Sequence, residues 1–513
     1  MPELSDDPRW WRDAVIYQIY PRSFRDADGD GVGDLGGIVE RLDYLADLGV
    51  DALWLSPIFT SPMADFGYDV ADHCDVDPVF GTLADVDRLV EGAHDRGVRV
   101  LLDWVPNHTS DQHPWFLASR SSREDPRRDW YVWRDPAPDG GPPNNWISAF
   151  KGVPAWTFDE DTGQYYLHSF LAEQPDLNWA NPEVEAAMHD TLRFWLDRGI
   201  DGFRADVVHL IGKGEDLPDL PEGHERELVV SIDEPFTHEL LRRIRALLDS
   251  YPQHPMMVGE VYLLKPGQTV SYLGDDDELH LTFDFRTLHT DWHCEQLRSI
   301  MATVQTEFAE PHWPTWVLSN HDRRRHRTRY GSDERARAAA VLSLTVRGTP
   351  FLYAGEELGL EDAEIPPERV VDPDGRDGTR APIPWTAAPD HGWGPDPWLP
   401  FPPDATVKAA ETQVGDPGSM HTLYRELLEL RRGSPVLRRG AIEVVAGDDA
   451  SAPDVLEVRR TLEGETVVVA LNFGATPTRV AVVGELVLSS RLDRPAGAFD
   501  GAIGPEEAVV VRV

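Results

Sequence analysis

The chain has 513 residues, 41% of them hydrophobic, and a formal net charge of −42 at pH 7. A chain of this length can bury more than one core and is expected to divide into two or three domains. The strong negative charge makes nucleic acid and anionic membrane poor partners, whereas a neutral ligand remains compatible with it.

The cysteine content and the apolar runs bear on disulfides, metal sites and cellular location. Cys74 and Cys294 are too few for a disulfide framework, and their separation is not that of a metal site. The first residues lack a basic region followed by an apolar stretch, and no apolar run approaches the roughly 20 residues that cross a bilayer. The sequence therefore predicts a cytoplasmic protein, and it leaves the oligomeric state open.

Short runs of β-branched and aliphatic residues alternate with amphipathic helices along most of the chain. Three of these helices carry apolar residues at helical spacing and stop before Gly49, Gly97 and Gly199, as is typical of helices with a C-terminal glycine. Eight strands in this alternation predict an α/β fold with a (β/α)8 TIM barrel. They are Val15–Tyr20, Ala52–Ile58, Val98–Val105, Gly202–Val208, Pro255–Val261, His280–Phe285, Pro314–Asn320 and Pro350–Gly355.

The alternation is interrupted at two places. Residues 106–175 are rich in Trp, Pro, Asp and Gly and show no helix–strand rhythm, which predicts a domain inserted after the third strand. After the helix His421–Arg432, short alternating strands predict a C-terminal antiparallel β-sandwich over residues 436–513. The barrel would then be formed by residues 1–105 and 176–435.

Three predicted strands run directly into an acidic residue, namely Asp206, Glu260 and Asp322. In a (β/α)8 barrel the C-terminal strand ends face one bowl, so these carboxylates are expected to converge although they are far apart in the chain. Converging carboxylates suit carbohydrate cleavage, in which one attacks the anomeric carbon and another protonates the departing oxygen.

Each acid has a predicted role. Asp206 is the candidate nucleophile, and Arg204, on the same side of the strand, would keep it ionised by lowering its pKa. Glu260 follows the apolar segment 256–259, which would desolvate the carboxyl and favour a proton donor. Asp322 would stabilise positive charge in the transition state. The alternatives are an ordinary Arg204–Asp206 ion pair and an Asp322 that merely neutralises the arginines after it.

Four ordered segments at four strand ends, those around Arg204, Glu260 and Asp322 together with Asp103–His108, resemble the α-amylase superfamily of glycoside hydrolases. The segment Gln174–Asn178 resembles one typical of its α-glucosidase and oligo-1,6-glucosidase branch. The resemblance covers nearly the whole chain. It implies a retaining enzyme that attacks the chain end of short α-glucosides, α-1,4 and/or α-1,6, through a covalent glucosyl-enzyme intermediate.

The resemblance also implies which side chains surround the sugar. Tyr68 would offer a stacking face, Asp69 an acceptor for the terminal glucose, and His108 and His321 donors to its hydroxyls. For either histidine the alternative is a satisfied core residue. The implied substrate-binding set is Tyr68, Asp69, Asp103, His108, Phe150, Phe170, Gln174, Arg204, Val207, His321, Arg325 and Arg380.

Two features depart from the family pattern. Arg323 and Arg324 stand where the family often has Asn or Gln followed by Pro or Thr, so the leaving-group side could be reshaped or could prefer a polar or acidic aglycone. Val207 tends to accompany α-1,6 cleavage, but residues 209–214 follow neither the α-1,6 nor the α-1,4 pattern. The linkage therefore stays open.

An acidic loop between the first strand and the first helix predicts a structural metal site. Its candidate ligands alternate along the chain, and oxygen ligands in a glycine-broken loop suit a hard cation such as Ca²⁺, with Mg²⁺ as an alternative. An EF-hand would need an acid at the twelfth position, which is Gly37, so the barrel-loop calcium site typical of the family fits better. A solvated turn without metal is the alternative. The candidate ligands are Asp26, Asp28, Asp30, the carbonyl of Val32, and Asp34.

Two further functions remain as alternatives. The same intermediate could be intercepted by a sugar hydroxyl, giving a transglucosidase or an isomerase of the trehalose or sucrose type. Some family members have lost the acids and are non-catalytic partners of membrane transporters. The three carboxylates and Arg204 are present here, which disfavours that last hypothesis.

Overall fold

The structure, a computed structural model, describes residues 4–150, 152–214, 216–220, 233–263, 265–372, 374–447 and 452–513. Its centre is a sheet of eight parallel strands whose neighbours follow the order 6-5-4-3-2-1-8-7. The strands are β1 (Ile16–Ile19), β2 (Ala52–Leu55), β3 (Arg99–Trp104), β4 (Gly202–Ala205), β5 (Met256–Gly259), β6 (Leu281–Thr282), β7 (Thr315–Val317) and β8 (Thr349–Tyr353).

The two end strands, β6 and β7, are joined by side-chain contacts. The Thr315 hydroxyl donates to the carbonyl of Thr282 at 2.9 Å and accepts from the amide of Asp284 at 3.1 Å. The sheet is therefore nearly closed, and the predicted (β/α)8 barrel is confirmed.

The barrel strands consist of buried residues because helices cover the outside of the sheet while side chains fill its interior. Each strand is shorter than predicted at one or both ends. Strand β4 requires a glycine at its start, because a Cβ on Gly202 would lie 2.3 Å from the carbonyl oxygen of Met256 in β5.

Helices surround the barrel. Gly49 ends the second of them in the left-handed conformation, φ +101°, with its N–H donating to the carbonyl of Leu45, as its sequence predicts. The first predicted helix is divided in two at Arg41. The α-helices are Leu35–Glu40, Leu42–Leu48, Leu83–His94, Pro114–Ser121, Pro182–Leu196, Pro235–Asp249, Gln268–Ser271, Cys294–Glu307, His326–Tyr330, Asp333–Thr345, Ala405–Lys408, Ala410–Gln413, Met420–Gly433 and Pro435–Arg439.

The segment between β3 and the helix Pro182–Leu196 contains a helix and a small sheet of its own. The antiparallel strands Trp133–Arg134, Gln164–Leu167 and Trp156–Asp159 lie side by side in that order. Strands of two to four residues are too short to leave a periodic signal in the sequence. The two ends of the segment meet in a bridge between His108 and Asp176.

The C-terminal region forms a six-stranded antiparallel sheet and a two-stranded ribbon with an apolar cluster between them. This confirms the predicted antiparallel β-sandwich. Arg460 of this sheet is buried and donates to the carbonyls of Thr345, Leu437 and Gly440. The main strands are Ala441–Val444, Val455–Leu462, Glu465–Asn472, Gly484–Ser489, Gly497–Phe499 and Ala508–Arg512, and the ribbon is Thr478–Arg479 with Ala502–Ile503.

The length and apolarity of the helices bear on membrane insertion. Among the described residues, none combines enough of both to cross a membrane.

Candidate active site

One guanidinium group holds three carboxylates at the C-terminal end of the barrel. Arg204 is 2% exposed, and its Nη1 lies 2.7 Å from Asp103 Oδ1 and 2.6 Å from Asp206 Oδ1. Its Nη2 binds Glu260. Asp103 belongs to β3, Asp206 directly follows β4, and Glu260 directly follows β5, so three adjacent strands supply the acids.

The electrostatics of this cluster differ from the sequence prediction. Burial raises the pKa of Asp206 well above its ordinary value, and it raises that of Asp103 to about 6, although Arg204 acts in the opposite direction on both. Arg204 lowers the pKa of Asp206 as expected, but burial and the neighbouring Glu260 and Asp103 raise it more, so the expected net lowering does not occur. The cluster therefore favours keeping a proton over full ionisation.

Glu260 is positioned differently from the expectation as well. Its apolar approach strand is buried, but the carboxylate itself is 12% exposed and accepts from Arg204 and, at 3.3 Å, from the amide of Val207. Val207 adopts φ +34°, an unusual conformation for a β-branched residue. In this conformation the N–H of Val207, the residue directly after Asp206, points at the Glu260 carboxylate.

Asp322 lies among cations. Its Oδ1 is 3.1 Å from Arg376 Nη1 and 3.1 Å from Arg380 Nη2, and its Oδ2 is 3.2 Å from His321 Nε2. Burial alone would raise the pKa of Asp322, but His321, Arg376 and Arg380 together lower it far below its ordinary value. Asp322 is therefore a fixed anion whose partners are not the arginines that directly follow it.

His321 connects this anion to the rest of the site. The Gln18 amide donates to Nδ1 at 2.7 Å, which assigns the ring proton to Nε2, where Tyr68 Oη and Asp322 lie. Tyr68 stacks on the ring with centroids 5.6 Å apart and also donates to Asp103 at 3.1 Å. Burial lowers the pKa of His321 to about 3, so the imidazole is neutral around pH 7.

The inserted segment supplies the opposite wall. His108 Nε2 is 3.2 Å from Gln174 Nε2, and its ring lies 5.2 Å from that of Phe170. Phe170 contacts Phe150, and the Arg376 guanidinium lies 5.4 Å from the Phe150 ring centroid. Burial lowers the pKa of His108 to about 4. The predicted aromatic and amide side chains are thus brought beside the carboxylates.

Two predicted substrate contacts lie elsewhere. Asp69 is fully buried, and its oxygens accept from the Ser61 hydroxyl and the amides of Ala64 and Asp65 at 2.8–2.9 Å, so it holds its own loop together. Arg325 donates to the carbonyl of Ala354 behind the pocket. The short side chain of Asp69 reaches the amides and the hydroxyl of its own loop. Arg325, the third arginine after Asp322, points back toward the barrel.

Three functional side chains were missed by sequence reasoning. Asp65 accepts from Arg376 at 2.7 Å and from Gln174 at 3.2 Å, and Asp372 accepts from Arg376 at 2.7 Å and from Arg380 at 3.1 Å. Asp65 stands three residues before Tyr68, and Arg376 stands four residues before Arg380. Their closeness in sequence to these predicted site residues could have indicated that they belong to the site. These ion pairs join the loops that follow β2, β7 and β8 beside Asp322.

The acidic loop after β1 forms a second cluster. Asp26, Asp28 and Asp34 each direct a carboxylate oxygen to a common point, and these oxygens lie within 4.8 Å of one another. Asp30, which was predicted as a ligand, lies outside this group, and its Oδ1 accepts from the amide of Val32 at 2.8 Å. The Val32 carbonyl stays a prediction. An all-carboxylate donor set fits a hard divalent cation.

The glycine at the twelfth position of this loop has a steric cause. A Cβ on Gly37 would lie 2.0 Å from the carbonyl oxygen of Arg25, so an EF-hand acid has no room there.

Comparison with known proteins agrees with this geometry. The family described as "Alpha amylase, catalytic domain" matches residues 18–440. The chain belongs to this family. A probable α-glucosidase of Rhizobium meliloti (strain 1021) is 44% identical over 478 residues, covering 86% of each protein. The oligo-1,6-glucosidase of Parageobacillus thermoglucosidasius is 37% identical over 514 residues, covering 90% of each.

Solved structures of the family superpose over nearly the entire chain. The α-glucosyl transfer enzyme XgtA has a TM-score of 0.89 and 41% identity, with 98% of this chain and 99% of that one covered. The trehalulose synthase MutB from Pseudomonas mesoacidophila MX-45 has a TM-score of 0.92 and 33% identity, with the same coverage. Both the carboxylate cluster and the acidic loop lie within the residues that the family matches.

Proposed function

We propose that the protein is a retaining, exo-acting α-glucosidase that releases glucose from the non-reducing end of short α-glucosides. The observation that carries this proposal is the single Arg204 guanidinium that binds Asp206 through one terminal nitrogen and Glu260 through the other. Two carboxyls held this close match the arrangement of a nucleophile and an acid, about 5–5.5 Å apart, rather than the wider spacing of inverting enzymes.

In the proposed reaction Asp206 attacks the anomeric carbon while Glu260 gives a proton to the departing oxygen, forming a covalent glucosyl-enzyme. Water then enters, Glu260 removes its proton, and glucose leaves. The fixed negative charge of Asp322 stabilises the positive charge that develops on the sugar ring in both transition states. His321 and Tyr68 hold that anion and Asp103 in place.

The exo mode is supported by the ion pairs that join three loops beside Asp322. Arg376 joins Asp65, Asp322 and Asp372, and it packs on Phe150 of the inserted segment. A sugar chain that continued in this direction would have to break these ion pairs. A terminal glucose fits such a boundary, and the linkage of the next sugar stays open.

A second candidate function is glucosyl transfer. It is favoured by the similarity to XgtA, whose name describes transfer of an α-glucosyl group, and to MutB, a trehalulose synthase. Both outcomes use one intermediate and differ in whether water or a sugar hydroxyl intercepts it. A cytoplasmic location and small α-glucosides as substrates stay predictions of the sequence.

We also propose that Asp26, Asp28 and Asp34 hold a structural Ca²⁺, with Mg²⁺ as the alternative. Burial raises the pKa of Asp34 because it disfavours the charged carboxylate. A cation bound beside Asp34 would offset this desolvation cost. The ion would stabilise the loop that joins β1 to the first helix, with no part in the reaction.

The test is a substrate panel of maltose, isomaltose, trehalose, sucrose and an aryl α-glucoside, with products resolved over time. We expect glucose as the main product and retention of the α-configuration in the first-formed sugar. Asp206→Asn should reduce turnover by about 10⁴-fold or more while the protein stays folded. Di- and trisaccharides that outweigh glucose at high maltose would instead support the transferase, and β-glucose as first product would refute a retaining mechanism.

A further inference from the structure

A cation borders the leaving-group side of the pocket. Arg323 directly follows Asp322, and Tyr262 stands two residues after Glu260. Arg323 Nη2 donates to Tyr262 Oη at 2.7 Å, and the guanidinium lies 5.8 Å from the tyrosine ring centroid. Because Glu260 is the proposed proton donor to the departing oxygen, the side chains beside it face the part of the substrate that departs.

The backbone of Arg323 is fixed, although its side chain is exposed. Its carbonyl accepts from the buried Thr379 hydroxyl at 2.9 Å, and the residue pairs with Asn320 in a short bridge. The tyrosine hydroxyl then orients the guanidinium. A ligand that binds there meets a positioned group, which reduces the conformational entropy lost on binding.

The charge of Arg323 is not compensated by a carboxylate. In the part of the chain that the structure describes, Arg323 forms no ion pair, whereas its neighbour Arg324 pairs with Asp362 at 3.2 Å. The nearby His289 adds no acid, and burial, Arg323 and Arg329 lower its pKa to about 4. The rim next to Glu260 therefore carries local positive charge on a protein whose net charge is −42.

We propose that Arg323 is a specificity-determining residue that binds an anionic oxygen, of a carboxylate or a phosphate, on the leaving group of the α-glucoside. The proposal rests on the proposed function, since it assigns the substrate class of the same site. A guanidinium presents planar paired donors that match carboxylate and phosphate oxygens. With Nη2 held by Tyr262, the exposed face of Arg323 is available to such a group.

The test compares anionic substrates with neutral counterparts. One pair is 4-carboxyphenyl α-glucoside and its methyl ester, and the other is trehalose 6-phosphate and trehalose, so the two arms distinguish a carboxylate from a phosphate. The quantity measured is the ratio of kcat/KM for the anionic substrate to that for the neutral one. Since the leaving groups also differ in reactivity, the change of this ratio on substitution is decisive.

Arg323→Gln should lower the ratio about five-fold in at least one pair, the size expected of one partly exposed charge contact. Arg323→Lys should keep part of the preference because it keeps the charge. Arg324→Gln is the matched control, since it removes the same charge one residue away and should leave the ratio unchanged.

A ratio that stays constant in Arg323→Gln for both pairs, or that falls equally in Arg324→Gln, would overturn the inference while leaving the α-glucosidase proposal intact. Failure of the unaltered protein to hydrolyse these four substrates while it cleaves maltose or isomaltose would overturn the inference alone, and failure on all of them would refute the proposed function as well.

Discussion

At the scale of single residues, the environment moves the carboxyl pKa values of the site apart. Asp206 and Asp103 share one guanidinium in a buried cluster, and burial raises their pKa values. Asp322 lies next to two arginines and a histidine, and their combined effect lowers its pKa although the arginines also pair with other carboxylates. Chemically identical side chains thus meet different environments: the ionised form of Asp206 depends on Arg204 against the cost of burial, whereas Asp322 remains an anion.

Asp65 and Asp69 permit a test of which acid of their loop serves the substrate. Asp65→Asn should lower kcat/KM by about 10²-fold, because Arg376 loses the partner that positions it, with little change in thermal stability. Asp69→Asn should lower stability by about 1–3 kcal/mol, because its new amide group faces the N–H of Ala64, while the folded protein keeps its activity. Steady-state kinetics and thermal unfolding of both variants measure this, and the reverse pattern would restore the role predicted for Asp69 from the sequence.

At the scale of elements, the loop between β1 and the helix Leu35–Glu40 gathers three carboxylates close together, two of them held by local backbone amides. Asp26 accepts from the amides of Gly29 and Gly31, and Asp34 caps the helix through the amide of Gly37. The backbone thus holds two carboxylates in place, and Asp28 is the exposed third member. Such a preformed site lets a cation stabilise the loop without rearranging it.

Removal of bound divalent cation with a chelator should lower the melting temperature, and added Ca²⁺ should restore it. A ligand that binds only the folded state raises the free energy of unfolding by about 2.7 kcal/mol when its concentration is 100 times Kd. Asp28→Asn should abolish this response, whereas Asp30→Asn should retain it, since Asp30 lies outside the cluster. The measurement is thermal unfolding with chelator and with added Ca²⁺ or Mg²⁺. Equal loss of the response in both variants would support the longer ligand set predicted from the sequence.

At the scale of the whole molecule, buried neutral histidines set the response to acid. A histidine with a folded pKa below its unfolded value of 6.5 binds fewer protons when folded, so its contribution to stability is complete above pH 6.5 and is lost as pH falls toward the folded pKa. Among the residues that the structure describes, burial lowers the pKa of His73, His108, His113, His289, His321, His326 and His421 to about 4 or less, and it also lowers that of His280.

The melting temperature should therefore fall as pH decreases from 7 to 5, with up to about 3 kcal/mol lost per fully buried histidine by pH 4. Carboxyl groups whose pKa burial raises act in the opposite direction and reduce the fall; they are Asp103, to about 6, Glu356, to about 8, and also Asp34, Asp51, Asp65, Asp69, Asp206 and Glu357. His421→Phe should reduce the fall, since neither ring nitrogen of His421 has a partner among the described residues. Thermal unfolding across this pH range is the measurement, and an unchanged or rising melting temperature would contradict it.

Much of the architecture could be predicted because its signals are local. Apolar runs marked all eight barrel strands, and Gly49 marked a helix end. The acids Asp206, Glu260 and Asp322 could be placed at one rim because a barrel directs every C-terminal strand end to the same side. The strands of the inserted segment were missed because they are too short to show a period.

By itself, then, the sequence determined the barrel, the family and the acids at the strand ends, since these depend on residue spacing and on order along the chain. The tertiary structure decided the partners: that Asp65 rather than Asp69 reaches Arg376, that Arg325 turns away, and that Asp30 stays outside the acidic cluster. It also decided that burial outweighs Arg204 at Asp206. Ion pairs and pKa values depend on distances through space and on exclusion of water, which spacing along the chain does not encode.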